Sequence, residues 1–171
     1  MAAAFGKFPS LSAFLESYKL AKKKREMKTV LAGKPRESAR KIKALQKKQL
    51  DVVEVDAQLK VREPDDTDAN GGKHYRLRVV VTKILKDDPD VSKDLKDAKA
   101  KACEVFVAIR FGDSMGILEP IKGLNPGAAL HLKGEWIPKE KAQQHGGAKM
   151  SVLHFTHHPV GFICTQVKCY A

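Results

Sequence analysis

Five apolar residues at every second position, Val53, Val55, Ala57, Leu59 and Val61, alternate with Glu54, Asp56, Gln58, Lys60 and Arg62. A period of two sends the two sets to opposite faces of an extended chain, so the stretch is a strand with one face buried and one wet. Such a strand needs partners. The chain downstream supplies them: Tyr75, Leu77, Val79 and Val81 share one parity, with Arg76, Arg78, Val80 and Thr82 on the other. A third strand spans Cys103 to Phe111, with Cys103, Val105, Val107, Ile109 and Phe111 inward and Phe106 and Arg110 outward. The turn Pro126-Gly127 then launches a fourth, with Leu130, Leu132 and Trp136 inward and Gly134 interrupting it where a small barrel must bend. Ser151 to His157 reads as a fifth strand and Val160 to Tyr170 as a strand-like tail.

The connections are less regular. Residues 63–73 form a polar turn in which Asp66, Asp68, Asn70 and Gly71 are spaced like the first half of a calcium loop. Leu77 stands where the bidentate glutamate is due, so an ordinary Asn-Gly turn is the better reading. Asp87 to Ala102 is rich in mixed charge, with Val91, Leu95, Ala98 and Ala102 at helical spacing, and reads as a solvated surface helix. Met115 to Leu124 is an apolar connector, and Pro138 to Lys149 a long loop.

The first 50 residues differ in kind. They hold 14 Lys/Arg against 3 Asp/Glu, whereas residues 51–171 hold 18 against 17. Nearly all of the net charge of +12 therefore lies on an N-terminal arm (1–50) preceding a near-neutral β domain (51–171). Leu11, Phe14, Leu15 and Tyr18 fall at helical spacing and must dock on something, either the barrel or a protein partner. Lys22, Lys23, Lys24 and Arg25 follow. A second helix is expected from about Pro35 to Gln49, with Arg40 and Lys41 outward. Such a charge imbalance points to nucleic acid or another anionic surface as partner.

Gly127, Leu130, Leu132, Gly134 and Trp136 resemble the fourth strand of an OB-fold, and more closely the small OB-like module of RecD-like DNA helicases, over about residues 124–156. Gly146, Gly147 and the run Val152 to Phe155 match loosely the loop and strand that follow in that family. The resemblance implies a five-stranded Greek-key barrel, and single-stranded nucleic acid as ligand, DNA before RNA. No helicase motor motif is present, so no motor activity is implied.

On that fold, Arg76, Arg78, Phe106 and Arg110 would share the outer face of the second and third strands, where bases stack on the ring and guanidinium groups hold phosphate. If the N-terminal helices cover this face, Phe106 belongs to the core instead. His131 and Lys133 lie opposite Trp136 in parity and are placed for phosphate, and Lys139, Lys141 and Lys149 make the loop after the fourth strand a clamp. The run His154, His157, His158 lacks a further ligand at fixed spacing, so no metal or other cofactor is expected. No nucleophile elbow, P-loop or dinucleotide fingerprint occurs, and the chain is read as a binding protein rather than an enzyme. The rivals are a protein-interaction module docking through the Leu11–Tyr18 stripe, and a metal-dependent enzyme using the histidines. Three cysteines, Cys103, Cys164 and Cys169, cannot all pair within the chain, and a reducing cytoplasm is the expected compartment. No apolar run long enough for a membrane span is seen.

Overall fold

A computed structural model describes residues 7–8, 11–31, 50–67, 71–144 and 149–171, and within the first helix the side chains of residues 13–24. The elements in chain order are α1 (Leu11–Leu31), β1 (Val52–Thr67), β2 (Lys73–Lys86), α2 (Ser92–Ala100), β3 (Glu104–Phe111), β4 (Ala129–Ile137), α3 (Lys139–Gln144), β5 (Val152–His154), β6 (Phe162–Cys164) and β7 (Cys169–Tyr170). The expected second helix, with Arg40 and Lys41, lies outside the described residues.

β1 pairs with β2 along its length and with β4 over its first half. β2 pairs with β3, β3 runs parallel to β5, and β5 returns antiparallel to β4. The circuit β1-β2-β3-β5-β4-β1 closes a five-stranded mixed barrel, consistent with an OB-like fold, and β6 and β7 extend from β4 outside it. One strand can serve two sheets only by bending, and the pairing of β1 with β2 slips register at four places.

The alternation is correctly phased. Val53, Val55, Ala57, Leu59, Leu77, Val79, Val105, Val107, Leu130, Leu132 and Trp136 all enter one buried cluster inside the barrel. Gly134 marks the place where β4 changes neighbours: before it His131, Leu132 and Lys133 face β6, and after it Glu135, Trp136 and Ile137 face β5. A Cβ on Gly134 would collide with the carbonyl oxygen of His154, so the close approach of β5 requires glycine there.

Three expectations change. The 87–102 segment does form a helix, but it is not simply solvated: Val91, Leu95 and Ala98 are buried in the barrel's own core. Residues 63–67 continue β1 rather than opening a turn, with Asp66 opposite His74 and Thr67 opposite Lys73. The loop after β4 contains the short helix α3, and the fifth strand is confined to Val152–His154.

A second apolar cluster lies outside the barrel wall. Phe14, Leu15 and Tyr18 of α1 bury themselves against Phe106 and Ala108 of β3, Ile137 of β4, Val152 of β5 and Ala142 of α3. The helical stripe thus docks on the chain's own barrel. No described helix is long and apolar enough to cross a membrane.

Candidate nucleic-acid interface

The register sets Arg78 opposite Phe106, Arg76 opposite Ala108 and His74 opposite Arg110, so the four residues expected on the β2–β3 face do share it. The face is not open. Phe106 is 1% exposed beneath α1, which corrects its assignment as a stacking platform: a ring enclosed by Phe14, Leu15 and Tyr18 cannot receive a base. Its arginines are also committed to carboxylates. Arg76 Nη2 is 2.9 Å from Glu63 Oε2, and Arg78 Nη1 donates to Glu104 Oε2 at 3.0 Å. Arg110 grips Asp113 through Nε at 3.0 Å and Nη2 at 2.7 Å, which holds the Asp113 carboxyl below the usual range. A phosphate would have to displace these partners.

The β4 candidates have acidic neighbours. His131 Nε2 lies 2.7 Å from Glu54 Oε1 and its Nδ1 is 3.9 Å from Asp56 Oδ1. Lys133 stands opposite Glu54 and 6.0 Å from the centre of the Phe162 ring. Both side chains are partly exposed on the side of the barrel away from Trp136, as their parity requires.

Lysines gather elsewhere. Lys23 and Lys24 are exposed on α1, whereas Lys22 turns inward, its Nζ donating to Asp51 Oδ2 at 3.1 Å with Glu135 Oε1 at 3.9 Å. The side chain of Arg25 lies outside the described residues. Lys139 and Lys149 are exposed and Lys141 partly so. Ala142 and Met150 pack in or against the cluster that seats α1, and Lys141 and Lys149 are their neighbours in sequence. Sequence reasoning chose these residues and held cover of the β2–β3 face by the N-terminal helices only as the alternative; the signal favouring that cover was present, because β3 is apolar on both parities, Val105 to Ile109, which requires cover on both faces.

A polar seam runs under α1. Asp51 and Glu135 are 5% and 2% exposed and meet the inward-turned Lys22. Lys19, although exposed as a residue, has its ammonium 4.1 Å from the centre of the Phe155 ring, and desolvation there pulls its pKa below the ordinary lysine value against the raising influence of Glu135 and Glu16. His154 Nδ1 lies 3.7 Å from Glu135 Oε2, beyond hydrogen-bond reach. Burial draws the His154 pKa from 6.5 down to about 4, although Glu135 opposes the shift.

The unfolded chain takes up a proton near 6.5 and the folded chain only near 4, so the contribution of neutral His154 is fully present above pH 6.5 and is lost as pH falls toward 4. Its full size is about 3 kcal/mol. Urea midpoints at pH 7 and pH 4 should therefore converge in His154→Gln relative to the parent; an equal fall in both proteins would remove His154 as the cause.

His157 is likewise buried, its Nδ1 2.9 Å from the carbonyl oxygen of His158, and burial lowers its pKa. Asp51, Asp88 and Asp90 bring carboxylate oxygens within 4.8 Å of one another, with the Lys22 ammonium against Asp51. Comparison of the chain with protein-family models, curated proteins and solved structures finds no match.

Proposed function

We propose that the chain binds single-stranded nucleic acid with little sequence preference, as a non-enzymatic accessory of nucleic-acid metabolism, with DNA favoured by the likeness to the RecD-like module. The observation that carries this reading is the placement of the basic segment: α1 is seated on an OB-like barrel by Phe14, Leu15 and Tyr18, with Lys23 and Lys24 exposed on it, and Lys141 and Lys149 adjoin in sequence Ala142 and Met150 of the same seat. The strand tracks this lysine-bearing rim rather than the β2–β3 face, whose ring and guanidinium groups are occupied. Affinity is then electrostatic and sequence-tolerant, because ammonium groups read phosphate and not base edges. The rival of a docking stripe on a protein partner loses its premise, since the described part of the stripe, Phe14, Leu15 and Tyr18, is buried internally.

Titration with single-stranded DNA, single-stranded RNA and duplex across a salt series tests the reading. The slope of log affinity against log salt should be negative, and each lost phosphate contact should flatten it by about 0.7. Lys23→Gln with Lys24→Gln leaves the seat of α1 intact and should flatten the slope by about 1.4. Salt-independent binding, or none to any of the three ligands, rejects the proposal.

A further inference from the structure

Three side chains with metal-binding atoms stand side by side on β4, β6 and β7. His131 is paired with Cys164 and Cys164 with Cys169, and directly opposed residues point to one face of a sheet. That face is the outer one, because Leu130 and Leu132 on either side of His131 point into the core. Cys164 is partly exposed and Cys169 exposed, and in this structure their sulfurs are joined as a disulfide. The His131 side chain is 37% exposed, with Nε2 2.7 Å from Glu54 Oε1. When Nε2–H donates to Glu54, Nδ1 carries the ring lone pair, with Asp56 Oδ1 3.9 Å away, so ligation requires the imidazole to turn from β1 toward Cys164; a carboxylate behind the imidazole is the usual orienting partner of a metal-bound histidine.

We propose that the reduced form of this row is a zinc site, held by the Cys164 and Cys169 thiolates and His131 Nδ1, with the fourth position left to water. Two thiolates and an imidazole are the donor set that selects zinc over the hard cations. The Cα atoms of Cys164 and Cys169 are 3.9 Å apart, and His131 stands directly opposite Cys164 on the neighbouring strand. Zinc bonds of about 2.3 Å to sulfur and about 2.0 Å to nitrogen let side chains from three successive strands meet above the middle one.

Opening the site needs a reductant of the dithiol class. It gives two electrons and two protons to the Cys164–Cys169 bond and leaves as its own disulfide; zinc then displaces the two thiol protons. A disulfide oxidant reverses the process, the two thiolates surrendering their electron pair to re-form the S–S bond, the oxidant leaving as two thiols and the metal being released. Disulfide and zinc are thus alternative occupants of one site. The site uses none of the lysines assigned to phosphate and does not depend on nucleic-acid binding. The remaining cysteine, Cys103, packs against the barrel core and takes no part.

The test uses the full chain carrying Cys103→Ser, reduced with a phosphine and titrated without oxygen, first with cobalt(II) and then with zinc. Expected are a single equivalent of cobalt with thiolate-to-metal charge transfer and the intense visible bands of four-coordinate geometry, displacement by zinc, and no uptake by the oxidised protein. His131→Ala keeps both thiols and should weaken zinc binding at least about tenfold. Cys169→Ser should abolish most of the charge-transfer intensity, with circular dichroism confirming the fold. If that variant unfolds, His131→Ala decides alone. Absence of uptake by the reduced protein, uptake undiminished in His131→Ala, or equal uptake by the oxidised protein would each overturn the proposal.

Discussion

Trp136→Ala should lower folding stability by about 3–5 kcal/mol, seen as a large fall in the urea midpoint at pH 7. The indole is 1% exposed and lies inside the barrel cluster, so truncation opens a cavity that the paired strands cannot collapse to fill. It also takes a donor from Asp94. Trp136 Nε1 donates to Asp94 Oδ2 at 2.8 Å, and the same oxygen accepts from Ser151 Oγ at 2.7 Å, while Oδ1 accepts from the Lys139 backbone N–H at 3.3 Å. One carboxylate on α2 therefore ties together β4, α3 and the start of β5. Trp136→Phe separates the two losses: it retains most of the apolar volume and deletes the N–H, and should cost about 1–3 kcal/mol. A Trp136→Ala protein of unchanged stability that no longer binds nucleic acid would instead place the indole at the ligand.

Phe106→Ala should be of similar size, about 3–5 kcal/mol, and its consequences should reach α1. The ring is packed among Phe14, Leu15, Tyr18 and Val152, with the Arg76 guanidinium 5.9 Å from its centre. Its removal weakens the seat of the helix as well as the barrel wall. Tyr18→Ala removes the opposing side of the same contact, so the two losses should fall short of additivity by about 0.5–3 kcal/mol in the double variant. Limited proteolysis would report the same event as earlier cleavage within α1. Unchanged melting together with lost single-strand affinity would restore the ring to the ligand surface.

The barrel was legible because its evidence is local. Period-two alternation in residues 53–62 and 75–82 sets both strands and their phase without reference to the rest of the chain, and the same holds for Leu130, Leu132 and Trp136. The cover over β3 was only half legible: two apolar parities announce burial on both sides, but the covering element lies some 90 positions upstream in the sequence. α2 misled in the opposite direction. Its lysines and aspartates outnumber its apolar residues, yet three contacts, Val91, Leu95 and Ala98, are enough to seat one face. The pairing of Arg76 and Arg78 with Glu63 could not be read from composition, because it depends on the register of a hairpin with slips in it. A strand's face can be counted from sequence; the neighbours of a charge on that face cannot.

β1 outruns β4, and this bears on how the molecule behaves in crowded solution. Its pairing with β4 ends at Gln58, so from Lys60 to Thr67 the only strand paired with it among the described residues is β2, and the other side of the backbone forms a rim with no described strand beside it. Peptide groups displayed in a row invite a strand from another molecule, which is how soluble β proteins begin to aggregate. Here the rim carries Lys60, Arg62, Glu63, Asp65 and Asp66, and Pro64 removes an N–H within a stretch where the register slips. An incoming strand would meet charges of both signs and an interrupted ladder, so the segment that most resembles an aggregation template is the one least able to act as one.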